Sequence, residues 1–411
     1  MRGRATWTVL GLLCLMYLIT YVDRVNVSTA ASAFKTELGL SNTQVGWVFS
    51  MFAWPYLAFQ VIGGWLGDRF GARRTLTVCG TIWAAATVAT GLVGSYTSML
   101  VARFFLGFGE GATFPTATRA MANWTPEGGR GFAQGITHSF ARFGNAITPP
   151  LVAWLIIAFG WRSSFVALGA VSFVWVLAWL FYFRDDPREH RAITPAELER
   201  LPAFASRRES AAIPWGPLTR RMMPVAVVYF CYGWTLWLFL SWLPLYFQHN
   251  YHMVLKDSAL FSAGVFFAGV IGDTAGGLIS DRLLTRTRNV RLARCWMVAA
   301  CMLLALASLI PVLLVHDVTV SAISLSLGFF FAEVTIGPMW AIPMDIAPKY
   351  SGTASGLMNS GSALAAIVSP VIGGMIIDAT GNWDLPFLGS IVLMLFGAIL
   401  TVTMHPERPL A

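Results

Sequence analysis

The chain has 411 residues, of which 56% are hydrophobic and only 12% are charged. A soluble globular protein carries roughly 25% charged residues, so this composition excludes a soluble fold and indicates a polytopic membrane protein. The net charge of +8 does not indicate nucleic-acid binding, because the positive residues lie in loops between apolar segments, a pattern that sets orientation in a membrane.

Apolar segments long enough to cross a bilayer recur along the whole chain, and each crossing needs about 20 residues. Twelve spanning helices are predicted, at residues 8–31, 44–66, 74–94, 98–121, 132–158, 163–183, 222–248, 258–280, 292–315, 318–342, 351–378 and 385–405. The predicted fold is therefore an all-α membrane protein with two six-helix halves, 1–183 and 222–411, joined by a polar cytoplasmic linker, 184–221.

The distribution of Lys and Arg predicts the orientation. Most of these residues lie in loops on the side of the N-terminus, and Lys35, Arg162 and Lys256 lie on the opposite side. Both termini are therefore expected in the cytoplasm, with the first span retained because Asp23 and Arg24 interrupt a signal-peptide pattern. We expect a bacterial inner-membrane protein that is a monomer. The five cysteines lack metal-ligand spacing, and neither a metal nor a cofactor is expected.

The two halves share sequence features at a nearly constant offset. The matching pairs are Gly64-x-x-x-Asp68-Arg69 with Gly277-x-x-x-Asp281-Arg282, and Glu110-x-x-x-x-Pro115 with Glu333-x-x-x-x-Pro338. These pairs predict a parallel internal repeat of the kind that transporters show. The charged pairs after spans two and eight are interpreted as a cytoplasmic gate rather than as substrate ligands.

Five charged residues lie inside predicted spans of the first half and away from the span ends: Asp23, Arg24, Arg103, Glu110 and Arg142. Charges inside a bilayer are costly and usually functional. At 1.5 Å per residue, Asp23 and Arg103 reach similar depths, which favours an ion pair between them. Arg24 points about 100° around the helix from Asp23, so it is available for another partner. A purely structural role for the Asp23–Arg103 pair remains an alternative.

Glu110 follows Arg103 by seven residues and lies on nearly the same helix face, close to the bilayer midplane. Arg142 on span five also comes to mid-depth. We interpret Glu110 as the main protonation site, with Arg142 close enough to modulate it. A structural role for Glu110 is the alternative.

Three stretches resemble known transporters. The stretch Gly64–Arg74, with sequence GWLGDRFGARR, resembles the loop 2–3 signature of the major facilitator superfamily. The stretches Tyr21–Asn26 and Arg103–Gly111 resemble the anion:cation symporter branch, which includes bacterial galactonate, hexuronate and glucarate carriers and the eukaryotic sialic-acid exporter.

The resemblance implies roles for particular residues. Asp23 and Glu110 would handle protons, Arg24 would face a substrate carboxylate, and Arg103 would support Asp23. Four further residues stand where sugar-acid carriers place substrate contacts: Tyr21, Tyr56, Trp340 and Asn359. Arg142 departs from that branch, which has uncharged polar residues there.

Several other polar residues in spans have two interpretations. His138, the repeat partner of Asn359, is either a proton relay or substrate contact, or a hydrogen-bonded packing residue. Tyr232 and Trp340 either stack on a sugar ring or pack in the membrane. Glu333 and Asp273 either join a proton route or form structural pairs.

The function expected from these features is proton-coupled symport of a small organic anion, with sugar acids such as hexonates and hexuronates as the first candidates. Arg142 favours a second anionic group on the substrate. The alternatives are a drug/proton antiporter, which would favour an acidic cavity, and a transporter-like nutrient sensor without flux. No nucleophile, zinc or nucleotide-binding motif stands out, so an enzyme is not expected.

Overall fold

The computed structural model of the protein describes residues 4–125, 130–201, 214–347, 351–408 and 410. Within them the secondary structure is helical, without strands. The helices of the first half are α1 (Arg4–Thr29), α2 (Ala31–Leu38), α3 (Asn42–Met51), α4 (Ala53–Phe70), α5 (Ala72–Gly91), α6 (Tyr96–Gly111), α7 (Thr113–Trp124), α8 (Arg130–Phe159) and α9 (Trp161–Tyr182). Those that follow are α10 (Pro195–Leu198), α11 (Trp215–Asn250), α12 (Leu255–Thr287), α13 (Met297–Leu314), α14 (Val318–Val334), α15 (Ile336–Ile346), α16 (Ser351–Thr380) and α17 (Leu385–Leu400).

The membrane-spanning pattern matches the prediction. Nine helical segments in the described part of the chain are long and apolar enough to cross a membrane. The other three predicted spans coincide with α3 and α4 together, with α5, and with α6 and α7 together. The prediction of an all-α membrane protein with twelve spans in two halves is confirmed.

Three of the spans are interrupted at a single residue, and in each case a proline follows three positions later. The interruptions and their prolines are Phe52 with Pro55, Ala112 with Pro115, and Thr335 with Pro338. Proline has no N–H and its ring clashes with the carbonyl four residues earlier, which favours a break at each of these positions.

The internal repeat is visible in these breaks. Glu110 is the second-last residue of α6, and Glu333 is the second-last residue of α14. At each break a threonine hydroxyl donates to a carbonyl of the preceding turn, from Thr113 to Glu110 and from Thr335 to Ala332, both at 2.6 Å. The two glutamates therefore occupy the same position relative to equivalent kinks.

The chain divides into two compact units, Met1–Leu38 with Met51–Glu209, and Gly39–Ser50 with Ser210–Ala411. The segment 39–50 belongs to the second unit, although in sequence it lies well before the linker. There the carboxylate of Asp378 accepts hydrogen bonds from the backbone N–H groups of Asn42 at 3.0 Å and Thr43 at 2.6 Å. Asp378 thus satisfies donors that the start of α3 would leave unpaired.

The polar linker packs on the first unit through α10. Thr194 and Glu197 form a capping box at the start of this short helix. Oε1 of Glu197 also accepts hydrogen bonds from the backbone N–H groups of Ala5 and Thr6, at 3.1 and 3.2 Å. One carboxylate therefore caps both α10 and the membrane helix α1.

Candidate functional site

A buried ion pair lies within the first unit. Nε of Arg24, on α1, lies 2.8 Å from Oε2 of Glu110, at the end of α6. Their side chains are only 3% and 0% exposed. Because each charge compensates the desolvation of the other, the pair explains how both residues are accommodated inside the bilayer.

Aromatic rings surround the guanidinium of Arg24. Its Cζ lies 4.7 Å from the ring centre of Tyr21, 5.1 Å from Phe52, 4.8 Å from Tyr56 and 5.2 Å from Phe114. Phe52 and Phe114 stand at the breaks of spans two and four, so the kinks bring these rings to the site. Each ring attracts the cation, by up to about 2 kcal/mol where water is absent.

The ion pair does not use all the hydrogen-bonding capacity of its members. Among the described residues, Nη2 of Arg24 and Oε1 of Glu110 are buried and have no hydrogen-bond partner. A buried polar atom without a partner is destabilising. An arginine held in this way has one donor edge committed to protein and another that an oxyanion can satisfy.

Asp23 and Arg103 lie beside the ion pair and are both buried. Oδ2 of Asp23 accepts a hydrogen bond from Thr87 at 3.4 Å, and the Cζ of Arg103 lies 5.4 Å from the ring centre of Phe52. Arg103 interacts electrostatically with both Glu110 and Asp23. Arg103 therefore adjoins two carboxylates, and its predicted role in supporting Asp23 stays a prediction.

Arg142 lies beside Tyr21, and its predicted influence on Glu110 stays a prediction. It is buried on α8, with its Cζ 5.8 Å from the ring centre of Tyr21. Gly144 allows this approach, because a Cβ there would lie 2.8 Å from the carbonyl oxygen of Leu18 on α1. The arginine that forms the ion pair with Glu110 is Arg24.

Tyr17 extends this group of aromatic residues and was missed by the sequence analysis. Its ring lies 4.6 Å from Phe114 and 5.5 Å, edge-on, from the half-buried His138. An aromatic residue in an apolar span carries no signal of its own. Its position one helical turn from Tyr21 is the only pattern that could have indicated it.

The second unit has its own buried polar group. Tyr232 donates a hydrogen bond from its hydroxyl to Oε1 of Glu333 at 2.8 Å, with both residues fully buried. Nε1 of Trp340 donates to the hydroxyl of Tyr229 at 3.0 Å, and Tyr229 stacks on Tyr232 at 5.3 Å. Asn359 is half-exposed on α16. The hydroxyl of Tyr232 is therefore hydrogen-bonded to the carboxyl group of Glu333.

The predicted cytoplasmic gate is described in part. Asp281 lies 3.4 Å from Nη1 of Arg294, whose Nε lies 3.2 Å from Asp345. Asp281 therefore forms an ion pair with a residue thirteen positions later, while its sequence neighbour Arg282 is exposed. Arg69 is exposed and lies over the ring of Phe70 at 5.6 Å. The side chain of Asp68 lies outside the described residues.

Comparison with known proteins agrees with this architecture. The fold and the buried charges define a multi-pass membrane transporter. A family model described as Major Facilitator Superfamily matches residues 13–370 and 291–411. The chain belongs to this superfamily.

Relatives extend over nearly the whole chain. The chain is 48% identical over 408 residues to the probable sulfoacetate transporter SauU of Cupriavidus necator, covering 98% of this chain and 95% of that one. It is 30% identical to the hexuronate transporter of Bacillus subtilis, covering 93% and 91%. It is also 30% identical to the probable galactarate/D-glucarate transporter GudP of the same organism, covering 98% and 94%.

A solved structure shares the fold. A bacterial homologue of the human lysosomal transporter Spinster, in an inward-facing and occupied conformation, superposes with a TM-score of 0.79 at 16% identity, covering 98% of this chain and 97% of that one.

Proposed function

We propose that the protein is a secondary active transporter that carries a small organic anion together with protons by alternating access. The observation that carries this proposal is the 2.8 Å ion pair between Arg24 and Glu110. The relatives named for hexuronate, galactarate/glucarate and sulfoacetate support an anionic substrate.

The ion pair couples the two ligands by competition. An ionised Glu110 occupies the Nε donor of Arg24. When Glu110 is protonated, the contact loses the attraction between opposite charges and weakens, and the guanidinium fork becomes available to a substrate carboxylate. Proton binding therefore favours anion binding, and by linkage anion binding favours protonation to the same extent.

The neighbouring charges extend the same scheme. We propose Asp23 as a second proton-handling carboxylate, with Arg103 interacting electrostatically with both it and Glu110. Tyr21 and Tyr56, whose rings stack on Arg24, would fix the plane of its guanidinium toward the anion. Trp340 and Asn359 in the second unit are proposed as further substrate contacts.

The substrate range is proposed from the relatives. The 30% identical relatives favour sugar acids, as the sequence motifs also do, whereas the 48% identical relative is named for a two-carbon sulfonate. Sugar acids and sulfoacetate both carry a carboxylate, and we propose that the substrate is a carboxylate-bearing anion. The protein would act as a monomer in the bacterial inner membrane, with both termini in the cytoplasm.

Uptake by purified protein in proteoliposomes tests this function. We expect an inward proton gradient to drive accumulation of at least one anion from a panel of galactonate, glucuronate, galactarate and sulfoacetate. Arg24→Ala should abolish uptake, because the anion loses its guanidinium. Glu110→Gln should keep anion exchange but lose the response to the gradient. Arg188→Gln, in the exposed linker, is the control and should behave as wild type.

Two results would contradict the proposal. Export of organic cations driven by the gradient would favour the drug antiporter. Anion binding without flux in wild-type proteoliposomes would favour the nutrient sensor.

A further inference from the structure

Two buried guanidinium groups share one aromatic ring. The Cζ of Arg24 lies 4.7 Å from the centre of the Tyr21 ring, and the Cζ of Arg142 lies 5.8 Å from the same centre. The two guanidinium carbons are therefore no farther apart than the sum of these distances. Tyr21 itself is half-buried, whereas both arginines are buried.

The balance of buried charge in this region is positive. Within the described spans of the first unit, the buried charged side chains are Asp23, Arg24, Arg103, Glu110 and Arg142. Three are cationic and two are anionic. Once Glu110 is protonated, the group carries an excess of two positive charges. A monoanion would balance one of them, and a dianion would balance both.

We infer that the substrate is a short dianion, and that Arg142 binds the acidic group that Arg24 does not. This inference rests on the proposed function, because it assigns the class of anion that the same site carries. Glu110 would take up a proton while Arg24 binds a carboxylate of the substrate. Arg142 would bind a second acidic group such as a sulfonate or carboxylate. Arginine suits both, because its planar fork matches their oxygen atoms.

The distances suit a short dianion. A charge-assisted N–H···O bond of about 2.8 Å places the central atoms of a guanidinium and an acidic group roughly 4 Å apart. Two such contacts along the line between the guanidinium carbons use most of the largest possible separation between Arg24 and Arg142. The remaining space suits two acidic groups joined through one carbon atom, as in sulfoacetate or malonate. A six-carbon diacid such as galactarate would have to bend, or bind out of that line, to contact both arginines.

Equilibrium binding to the purified full-length protein in detergent tests the inference. Titration calorimetry is performed with sulfoacetate, malonate, glycolate and galactarate at one fixed pH. We expect sulfoacetate and malonate to bind at least about tenfold more tightly than glycolate and galactarate. Arg142→Gln should remove that preference by weakening the short dianions about tenfold or more, with little change for glycolate. Arg188→Gln should leave all four affinities unchanged.

The conservative variant keeps the test decisive if Arg142→Gln does not fold. Arg142→Lys retains the charge and should keep part of the preference for short dianions. Equal weakening of glycolate and sulfoacetate by the Arg142 substitutions would overturn the inference, as would wild-type preference for glycolate or galactarate, or no binding of any short dianion. Because binding is measured without a proton gradient, these outcomes are independent of whether transport is proton-coupled.

Discussion

Arg24 is the residue on which the account depends at the smallest scale. It pairs with Glu110 and is enclosed by the rings of Tyr21, Phe52, Tyr56 and Phe114. Both kinds of contact use the planar shape of the guanidinium as well as its charge. A lysine at this position would keep the charge but lose the fork and the stacking.

Arg24→Lys therefore tests shape separately from charge. We expect the KM for the transported anion to rise at least about tenfold, which corresponds to roughly 1.4 kcal/mol of lost binding. Uptake kinetics in proteoliposomes give the measurement, with Arg188→Lys as the surface control. An unchanged KM would mean that the charge alone attracts the anion.

Gly71, in the loop between α4 and α5, is fixed by a different constraint. Its φ is 85°, and a Cβ there would lie 2.5 Å from Oδ2 of Asp185. That carboxylate also accepts a hydrogen bond from the backbone N–H of Arg73 at 3.1 Å. The glycine of the loop signature thus allows Asp185 to cap the start of α5.

Gly71→Ala should destabilise the protein by about 1–3 kcal/mol, because the backbone conformation is one that side-chain-bearing residues rarely adopt. Thermal unfolding in detergent measures the effect as a lower Tm. Gly11→Ala is the matched control, since Gly11 is helical and a Cβ there meets no atom within 4 Å. Equal melting temperatures for the two variants would show that Asp185 and the loop adapt without cost.

The kinks are the main feature at the scale of elements. The breaks at Phe52 and Ala112 place two of the rings around Arg24, and the break at Ala112 follows directly on the end of α6, where Glu110 lies. The sequence alone does not locate these breaks, because Pro311 and Pro370 lie inside uninterrupted helices. Nor does it give the consequence for the site, because a kink changes the direction of a helix by an amount that sequence does not specify.

Pro115→Ala should reduce transport more than it reduces stability. The substitution restores an N–H and removes the ring that opposes the carbonyl of Gly111, so α6 and α7 can join and move Phe114 away from Arg24. We expect a several-fold fall in uptake with an unchanged or higher Tm. Pro311→Ala, inside α13 of the second unit, is the control. Wild-type uptake by Pro115→Ala would show that the kink does not position the site.

The linker helix α10 offers a prediction that depends on pH. Burial alone would raise the pKa of Glu197, but hydrogen bonds from Thr194 and Thr6 outweigh it and hold that pKa below its ordinary value. A carboxyl with a lowered pKa contributes stability above its unfolded pKa of about 4.3, and this contribution is lost as the pH falls through the folded value.

Glu197→Gln should therefore lower the free energy of unfolding at neutral pH by about 1 kcal/mol, the amount expected of a lost helix cap. This loss would appear as a lower Tm. The difference from wild type should shrink below about pH 4. Thermal unfolding across pH gives the comparison, and Glu199→Gln, which is exposed on the same helical turn, is the control. A difference that is constant with pH would contradict the capping role.

At the scale of the whole molecule, the sequence predicted the fold well because bilayer thickness fixes the length of each span. The positions of charges along the membrane normal also follow from the rise per residue. Depth alone does not say which side chains meet, since that depends on how each helix is rotated and kinked. Depth left the partner of Arg24 open, and the structure pairs Arg24 with Glu110. Tyr17 gave no signal because aromatic residues are common in spans.

The repeat links the two units in sequence and in local structure. Glu110 and Glu333 stand at equivalent breaks, yet Glu110 pairs with an arginine and Glu333 accepts a hydrogen bond from Tyr232. The cationic side chains buried in the described spans of the first unit make that unit the place where the proposed anion chemistry is concentrated. The central claim is that protonation of Glu110 and binding of the anion occur together.

The most direct test is the number of protons taken up when the anion binds to purified protein in weakly buffered detergent solution, measured with a pH indicator. We predict uptake of about one proton per bound anion in wild type over the pH range in which Glu110 ionises, with affinity falling as pH rises. Glu110→Gln should bind the anion with much smaller proton uptake and a flatter pH dependence. Anion binding that takes up no proton in wild type, with an affinity independent of pH, would contradict the account.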